Sequence, residues 1–350
     1  MYHVDSINLK DSAFLRACRC EPVEWTPVWF MRQAGRSLPE YRALRKEGSI
    51  LDAIKKPDVS TEITLQPIRR YGVDAAILFS DIVVPVHAVG FGVEIEPGIG
   101  PVAADPFRSS DDLKRLRSLN PEVDTPYVLE TIKGCIQELQ VPLIGFAGAP
   151  FTVASYLIEG GPSRSYQKTK SLMFGDNALW ESLMERLTDI TIESLLSQVE
   201  AGASAIQLFD SWAGSLSPSQ YERFVFPYSQ KVFDILERTG VPKIHFGVGT
   251  GELLTLMSEV GADVVGVDWR VSIDEARNRI GNGKGIQGNL DPAILGSSWT
   301  SIANETTKIL EKIDGQPGHI FNLGHGVTPE VNPDVLQKVV NLVHNFRTNS

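Results

Sequence analysis

The sequence predicts a single (β/α)8 barrel of the TIM type. Three observations predict it. Eight short, nearly continuous apolar runs recur along the chain, amphipathic segments lie between them, and polar or glycine-containing turns follow the runs. Apolar runs of this kind suit parallel strands buried on both faces. A doubly wound open sheet also fits the alternation. The count of eight, and the fall of polar residues just beyond the runs, put the barrel ahead.

The runs occupy residues 27–30, 75–79, 143–147, 205–209, 243–248, 264–269, 285–290 and 319–323. Between them, 191–200 and 220–237 carry apolar residues at spacings of three and four, as helices do. Ser217-Pro218 supplies an N-cap and a first-turn proline for the second helix. Gly240 and Gly261 stand where helices should stop. No Pro/Gly/Ser linker divides the chain, so residues 1–350 read as one barrel domain, with 1–24 as an N-terminal extension.

Composition bounds the function. The formal net charge of −10 argues against nucleic-acid partners, which require a positive face. It leaves an anionic small substrate possible, because a pocket's local field can oppose the total. Three cysteines, Cys18, Cys20 and Cys135, are too few and odd in number for a disulfide framework, and a reducing compartment is expected. The first twenty residues contain no apolar signal segment. The most apolar stretch, 75–93, is broken by Asp81, Pro85 and His87, so no membrane span is expected and the cytoplasm is the simplest setting.

In a barrel of this type chemistry sits on the loops after each strand's C-terminal end. After the first run come Arg32 and Arg36, four apart with Gly35 between; their guanidinium forks match carboxylates, if the loop folds back to converge them. Two solvated surface arginines are the plain alternative, and the flanking Phe30, Met31 and Leu38 argue against it. After the second run Asp81 is either a helix cap or a ligand group. The residues that follow, Ile82-Val83-Val84-Pro85, do not open a typical capped helix. The third run leads into Gly148, Thr152, Tyr156 and Gly160-Gly161, where small residues would admit a flat ligand or simply pack the barrel mouth. Tyr156 is either a site residue or an ordinary core tyrosine. After the fourth run Ser211 lacks the G-x-S-x-G context of a nucleophile and is better placed as a hydrogen-bond donor. The last run ends in Gly324-His325-Gly326, which gives His325 room to enter a pocket or to cap.

Three motifs are discounted. Residues 283–288 fit G-x-G-x-x-G by spacing but precede a strand, whereas a dinucleotide fingerprint follows one; Asn282-Gly283 reads as a turn. No G-x-x-x-x-G-K-[ST] is present. Cys18 and Cys20 have no neighbouring His or Cys to complete a zinc site.

Taken together, six blocks resemble the uroporphyrinogen decarboxylase family, in that family's order. They are Phe30-Met31-Arg32-Gln33-Ala34-Gly35-Arg36 with Leu38-Pro39-Glu40-Tyr41-Arg42; Ile77-Leu78-Phe79-Ser80-Asp81-Ile82; and Gly145-Phe146-Ala147-Gly148-Ala149-Pro150-Phe151-Thr152. The others are Tyr156-Leu157-Ile158-Glu159-Gly160-Gly161, Gln207-Leu208-Phe209-Asp210-Ser211-Trp212-Ala213-Gly214 and Asn322-Leu323-Gly324-His325-Gly326. The resemblance covers about 25–335. It implies decarboxylation of the four acetate arms of uroporphyrinogen III, giving coproporphyrinogen III in haem and tetrapyrrole synthesis, by a homodimer without metal or organic cofactor. It implies that Arg32, Arg36, Asp81, Tyr156, Ser211 and His325 bind substrate or act in catalysis, and that Gln33, Phe146 and Phe209 line the pocket. One departure is Ser37, where many members carry an aromatic, so the arginine loop is either looser here or braced differently.

These residues imply a mechanism. An ionised Asp81 can collect several pyrrole N–H donors at the centre of a macrocycle. Protonating a pyrrole α-carbon creates a cation that accepts the electrons left by CO2, and a carboxylate beside it stabilises that charge. A tight grip on the departing carboxylate would oppose the reaction, so at least one arginine should hold a non-reacting arm or help deliver a proton. Whether the proton comes through Tyr156 or a water held by Arg32 stays open. The rivals are a corrinoid- or folate-linked methyltransferase of the same barrel superfamily, which would need a zinc-activated thiol at a strand end, and a non-catalytic tetrapyrrole-binding protein. Cys135 falls in a helical stretch, and the set Asp81, Arg32, Arg36 and His325 argues for turnover.

Overall fold

The computed structural model describes residues 9–45 and 48–347. Most of the expected N-terminal extension lies within that range, as a single turn, Leu9–Asp11, and a short helix, Ala13–Cys18; residues 1–8 lie outside the described residues.

Among the described residues nine strands form, in chain order β1 (Ala76–Ile77), β2 (Val93–Glu96), β3 (Gly100–Ala103), β4 (Leu143–Gly148), β5 (Ala205–Asp210), β6 (Lys243–Gly247), β7 (Val264–Gly266), β8 (Gly285–Gln287) and β9 (His319–Ile320). Seven of them make one parallel sheet in the order β1-β4-β5-β6-β7-β8-β9. The first apolar run, 27–30, closes it without counting as a full strand. Val28 bridges in parallel to Phe321. Trp29 N donates to Phe321 O at 3.3 Å, Phe321 N to Pro27 O at 2.8 Å, and Asp74 N to Val28 O at 2.8 Å. The eighth position is therefore filled by a stretch that pairs with both neighbours, and the barrel reading holds.

Side chains alternate across the wall as period-two strands require. Along β5, Gln207 and Phe209 face the barrel interior. There Gln207 Oε1 accepts from Gln287 Nε2 at 3.0 Å, and Phe209 meets Phe146 and Phe246. Ile206 and Leu208 face the helices and pack with Val232, Phe233 and Leu236. Leucine, isoleucine and valine at the alternating positions give the buried layers on both sides of the wall.

Three differences from the sequence reading stand out. Residues 220–237 are two helices, Pro218–Phe224 and Phe226–Glu237, because Val225 leaves helical geometry (φ −128°, ψ −44°) and Pro227 has no N–H to continue the ladder. The antiparallel hairpin β2–β3, with Val93 opposite Ala103 and Glu96 opposite Gly100, was not anticipated. The helix expected at 191–200 is the end of a longer one, Asn177–Ala201. Ser217 caps Pro218–Phe224 reciprocally with Gln220, as its sequence proposed. Gly240 and Gly261 take φ values of +68° and +102° just past helix ends. Among the described residues no helix is long and apolar enough to cross a membrane.

Candidate active site

The loops that follow β1, β4 and β5 and the loops of the first and last runs meet at one mouth of the barrel. The first and last are stapled together. Met31 N donates to Asn322 Oδ1 at 3.1 Å, and Val327 N to Met31 O at 2.8 Å. Gln33, expected to line the pocket, has another task. It is fully buried, its Oε1 accepts from Phe30 N at 3.0 Å, and its Nε2 donates to Ala75 O at 3.1 Å. Its amide is thereby committed to shaping the arginine loop, not to a ligand.

That bracing turns Arg32 into the left-handed region, φ +59°, a conformation that non-glycine residues seldom adopt. Its stem then crosses Gly326. A β-carbon on Gly326 would lie 2.5 Å from Arg32 Cδ, so the glycine is the space the arginine uses. The guanidinium is close enough to bear on the ionisation of Asp81, Tyr156 and His325 together. Arg36 sits on the same loop, exposed, and the structure does not bring it into that group. Arg42 Nη1 holds the carbonyls of Arg36 and Ser37 at 2.6 and 3.1 Å. Ser37 is buried, so the loop is braced by polar contacts where an aromatic would pack.

Asp81 follows β1 and is half-buried. Its Oδ1 accepts from Val83 N at 3.1 Å, so it also shapes the turn into the helix Val84–Ala88. Of the two alternatives, cap and ligand group, the turn-capping one is realised at this oxygen. Burial pushes this carboxyl above its ordinary range, while the Val83 N–H, the Arg32 charge and the Ile82 N–H oppose the shift.

Tyr156 is carried by the helix Pro150–Glu159, which begins at the end of β4. Burial first, and then the Asp81 carboxylate, push its hydroxyl far above the tyrosine range, so it is a neutral O–H donor. His325 is pushed down to about 4 by burial and by the cations Arg32 and Arg270. It is a neutral imidazole at neutral pH. Phe146 and Phe209 lie in the C-terminal halves of β4 and β5, half-buried, in edge-to-face contact at 5.4 Å, with Phe246 next to Phe209 at 5.9 Å. They form an apolar wall. Ser211 is half-buried one residue beyond β5.

Sequence reasoning missed two groups. Trp212 lies against the Tyr156 ring at 3.8 Å. At the end of β7, Arg270 pairs with buried Asp268 and lies 4.2 Å over the Trp269 ring. Asp268 also accepts from Gly249 N at 2.6 Å. The rule that flagged Asp81, a charge just past a buried strand, applies equally to Asp268-Trp269-Arg270. A cavity of about 320 Å³ opens at the opposite end of the barrel, among Trp25, Leu310, His319 and Phe346, and none of the site residues lines it. The three cysteines are in or just after the helix Ala13–Cys18 and in the helix Pro126–Glu138, away from the mouth. The arrangement thus offers one carboxylate, one cation that reaches it, two neutral donors and an aromatic wall.

Comparison with known proteins follows this geometry. The family described as uroporphyrinogen decarboxylase (URO-D) matches residues 9–346. The uroporphyrinogen decarboxylase of Streptomyces griseus is 60% identical over 335 residues, covering 95% of this chain and 92% of that protein. That of Thermobifida fusca is 56% identical over 347 residues, covering 99% and 96%. Among solved structures, a methyltransferase from Methanosarcina mazei superposes with a TM-score of 0.76 at 21% identity, covering 94% of this chain and 96% of that one. At that identity the likeness shows the barrel fold alone.

Proposed function

The chain belongs to the uroporphyrinogen decarboxylase family, and we propose that Asp81, Arg32, Tyr156 and His325 carry out that family's reaction in it. The reaction removes the four acetate carboxyls of uroporphyrinogen III to give coproporphyrinogen III, a step of tetrapyrrole synthesis. This chain is a carboxy-lyase. What supports the assignment of residues is that the Arg32 stem packs on Gly326, next to His325, and that the loop bearing it is stapled to the last strand-end loop by Met31 N and Asn322 Oδ1; the Arg32 charge also bears on the ionisation of Asp81, Tyr156 and His325.

The substrate presents pyrrole N–H groups at its centre and carboxylates at its rim. Asp81, with one oxygen held by Val83 N, turns the other to the converging N–H donors, which favour its ionised form against burial. A proton added to a pyrrole α-carbon makes the ring cationic. The bond from methylene to carboxylate then breaks, its electron pair enters the ring, CO2 leaves, and the exposed methylene carbon takes up a proton as the pyrrole α-carbon gives one up. The net change on each arm is one proton taken and one CO2 lost. Asp81 stabilises the transient cation, a contribution that is commonly the largest in catalysis of this type.

Arg32 supplies the positive field that holds a carboxylate arm, and Arg36 on the outer loop holds a second. His325 and Tyr156 are neutral, so each gives a hydrogen bond without adding a full charge that would anchor the departing group. The proton donor is then Tyr156 or a water oriented by Arg32. Phe146 and Phe209 support the face of the macrocycle, and Ser211 donates to a rim carboxylate.

The methyltransferase alternative needs a thiol at a strand end, and Cys18, Cys20 and Cys135 are elsewhere. Anaerobic incubation with uroporphyrinogen in the presence of a chelator tests the reading: stepwise loss of four carboxyls is expected, and binding without CO2 release would overturn it. The same reading extends to a cytoplasmic homodimer, which sedimentation velocity and cell fractionation would check.

A further inference from the structure

Trp212 carries no charge and no hydroxyl, yet it is the surface on which Tyr156 rests. The two ring centroids are 3.8 Å apart with planes inclined by 32°. Tyr166 meets the same indole edge-on at 5.1 Å. The backbone N–H of Trp212 donates to Thr152 Oγ1 at 3.2 Å, and that hydroxyl donates to Asp210 Oδ1 at 2.8 Å. Thr152 and Asp210 are both fully buried, and His245 Nε2 lies 3.8 Å from the other Asp210 oxygen.

The connectivity is directional. A threonine hydroxyl has one proton, and here it goes to a carboxylate; its lone pairs are left to accept from the Trp212 N–H. Thr152 and Tyr156 are one helical turn apart on Pro150–Glu159, while Asp210 and Trp212 are two residues apart where β5 ends. The helix and the loop are therefore joined twice, by the hydroxyl at the base and by the ring contact above it. The upper joint ends in the side chain that shares the Arg32 field with Asp81.

We propose that Trp212 is a positioning residue for Tyr156, and that Asp210 acting through Thr152 sets where the indole stands. Among the described residues no other ring is held so closely against this phenol. Trp212 is half-buried, with one edge on the core and the Tyr156 ring against it. The inference rests on the reading that Tyr156 takes part in the reaction.

The test is a double-mutant cycle on anaerobic decarboxylation, with thermal unfolding measured alongside. Trp212→Leu should lose about tenfold in kcat/KM in the wild-type background and less than about twofold in a Tyr156→Phe background, the non-additivity expected of coupled residues. Trp212→Phe keeps an aromatic platform and should stay within about threefold of wild type, and Thr152→Ser keeps the relay and should behave likewise. Equal losses from Trp212→Leu in both backgrounds would overturn the inference while leaving Tyr156 in its role. A Tyr156→Phe enzyme at full rate would instead remove Tyr156 from the reaction, and the inference with it. If the leucine variant fails to fold, Trp212→Met, unbranched and better able to fill an irregular gap, enters the same cycle.

Discussion

Gly326→Ala places a methyl carbon 2.5 Å from Arg32 Cδ, 2.7 Å from Cγ and 3.1 Å from Cβ. Non-bonded carbons rest at about 3.5–4.0 Å, so the arginine stem must retreat by about 1 Å. The backbone at Gly326 lies outside the left-handed region, and alanine fits there without torsional strain. Arg32 is exposed and can yield, and a gain of about 0.4–1 kcal/mol from the stiffer unfolded chain offsets part of an overpacking cost of about 1–3 kcal/mol, so the fold should lose at most about 2–3 kcal/mol. Activity should respond differently, because a misplacement of about 1 Å in a positioning group can cost about 100-fold. The assay is anaerobic turnover, with products separated by carboxyl number, on Gly326→Ala, Arg32→Ala and the double variant. We expect about a 100-fold loss in kcat/KM for Gly326→Ala and almost no further loss when it is added to Arg32→Ala. A variant within twofold of wild type, or an undiminished loss in the Arg32→Ala background, would refute the claim that the glycine exists to seat the arginine.

Asp81→Asn should lower kcat by about 10²–10³-fold, the usual cost of a group that stabilises transition-state charge. Its melting temperature should hold or rise, because burial already disfavours the ionised carboxyl; near-normal turnover would take Asp81 out of the mechanism. Arg36→Ala should raise KM about two- to fivefold with kcat little changed, as loss of an exposed charge contact does, and an unchanged KM would exclude the clamp. His319 is buried, has Nε2 2.9 Å from Gly288 O, and is pushed down to about 4 by burial. The unfolded chain takes up that proton near 6.5 and the folded chain only near 4, so stability drops as pH falls through that window, by about 2 kcal/mol at pH 5 from this ring. His319→Gln should therefore lose less stability between pH 7.5 and pH 5 in urea unfolding, and an identical loss would show that this ring stays uncoupled from folding.

Most of the barrel was legible because burial on both faces leaves a plain mark: 143–147 and 205–209 lie within β4 and β5. Strand ends were less so. The run 264–269 extends past Gly266, where β7 stops, through buried Val267 and Asp268, since burial does not report hydrogen bonding. The break at Val225 was signalled by Pro227, but the spacing of apolar residues on either side hid it. In the site, Asp81, Arg32, Tyr156 and His325 were found by their place after strands and by resemblance. Their ionisation was not, because the neutrality of His325 depends first on its burial in the folded chain and then on Arg32 and Arg270, which are distant in sequence. Trp212 was passed over for a related reason: its partner is 56 positions earlier, and no local pattern encodes a ring contact between a loop and a distant helix.

Met31 and Asn322 are hydrogen-bonded although 291 positions separate them. During synthesis the segment bearing Arg32 therefore leaves the ribosome well ahead of the strand that completes it. At about 5–20 residues per second the delay is about 15–60 s. For that interval Trp29 and Phe30, both fully covered in the finished molecule, lack their final neighbours. A nascent chain shorter than that span can make most of the wall but has neither the closing bridge nor His325. Translation stopped before residue 322 should yield an inactive polypeptide prone to aggregation, with no intermediate of partial activity.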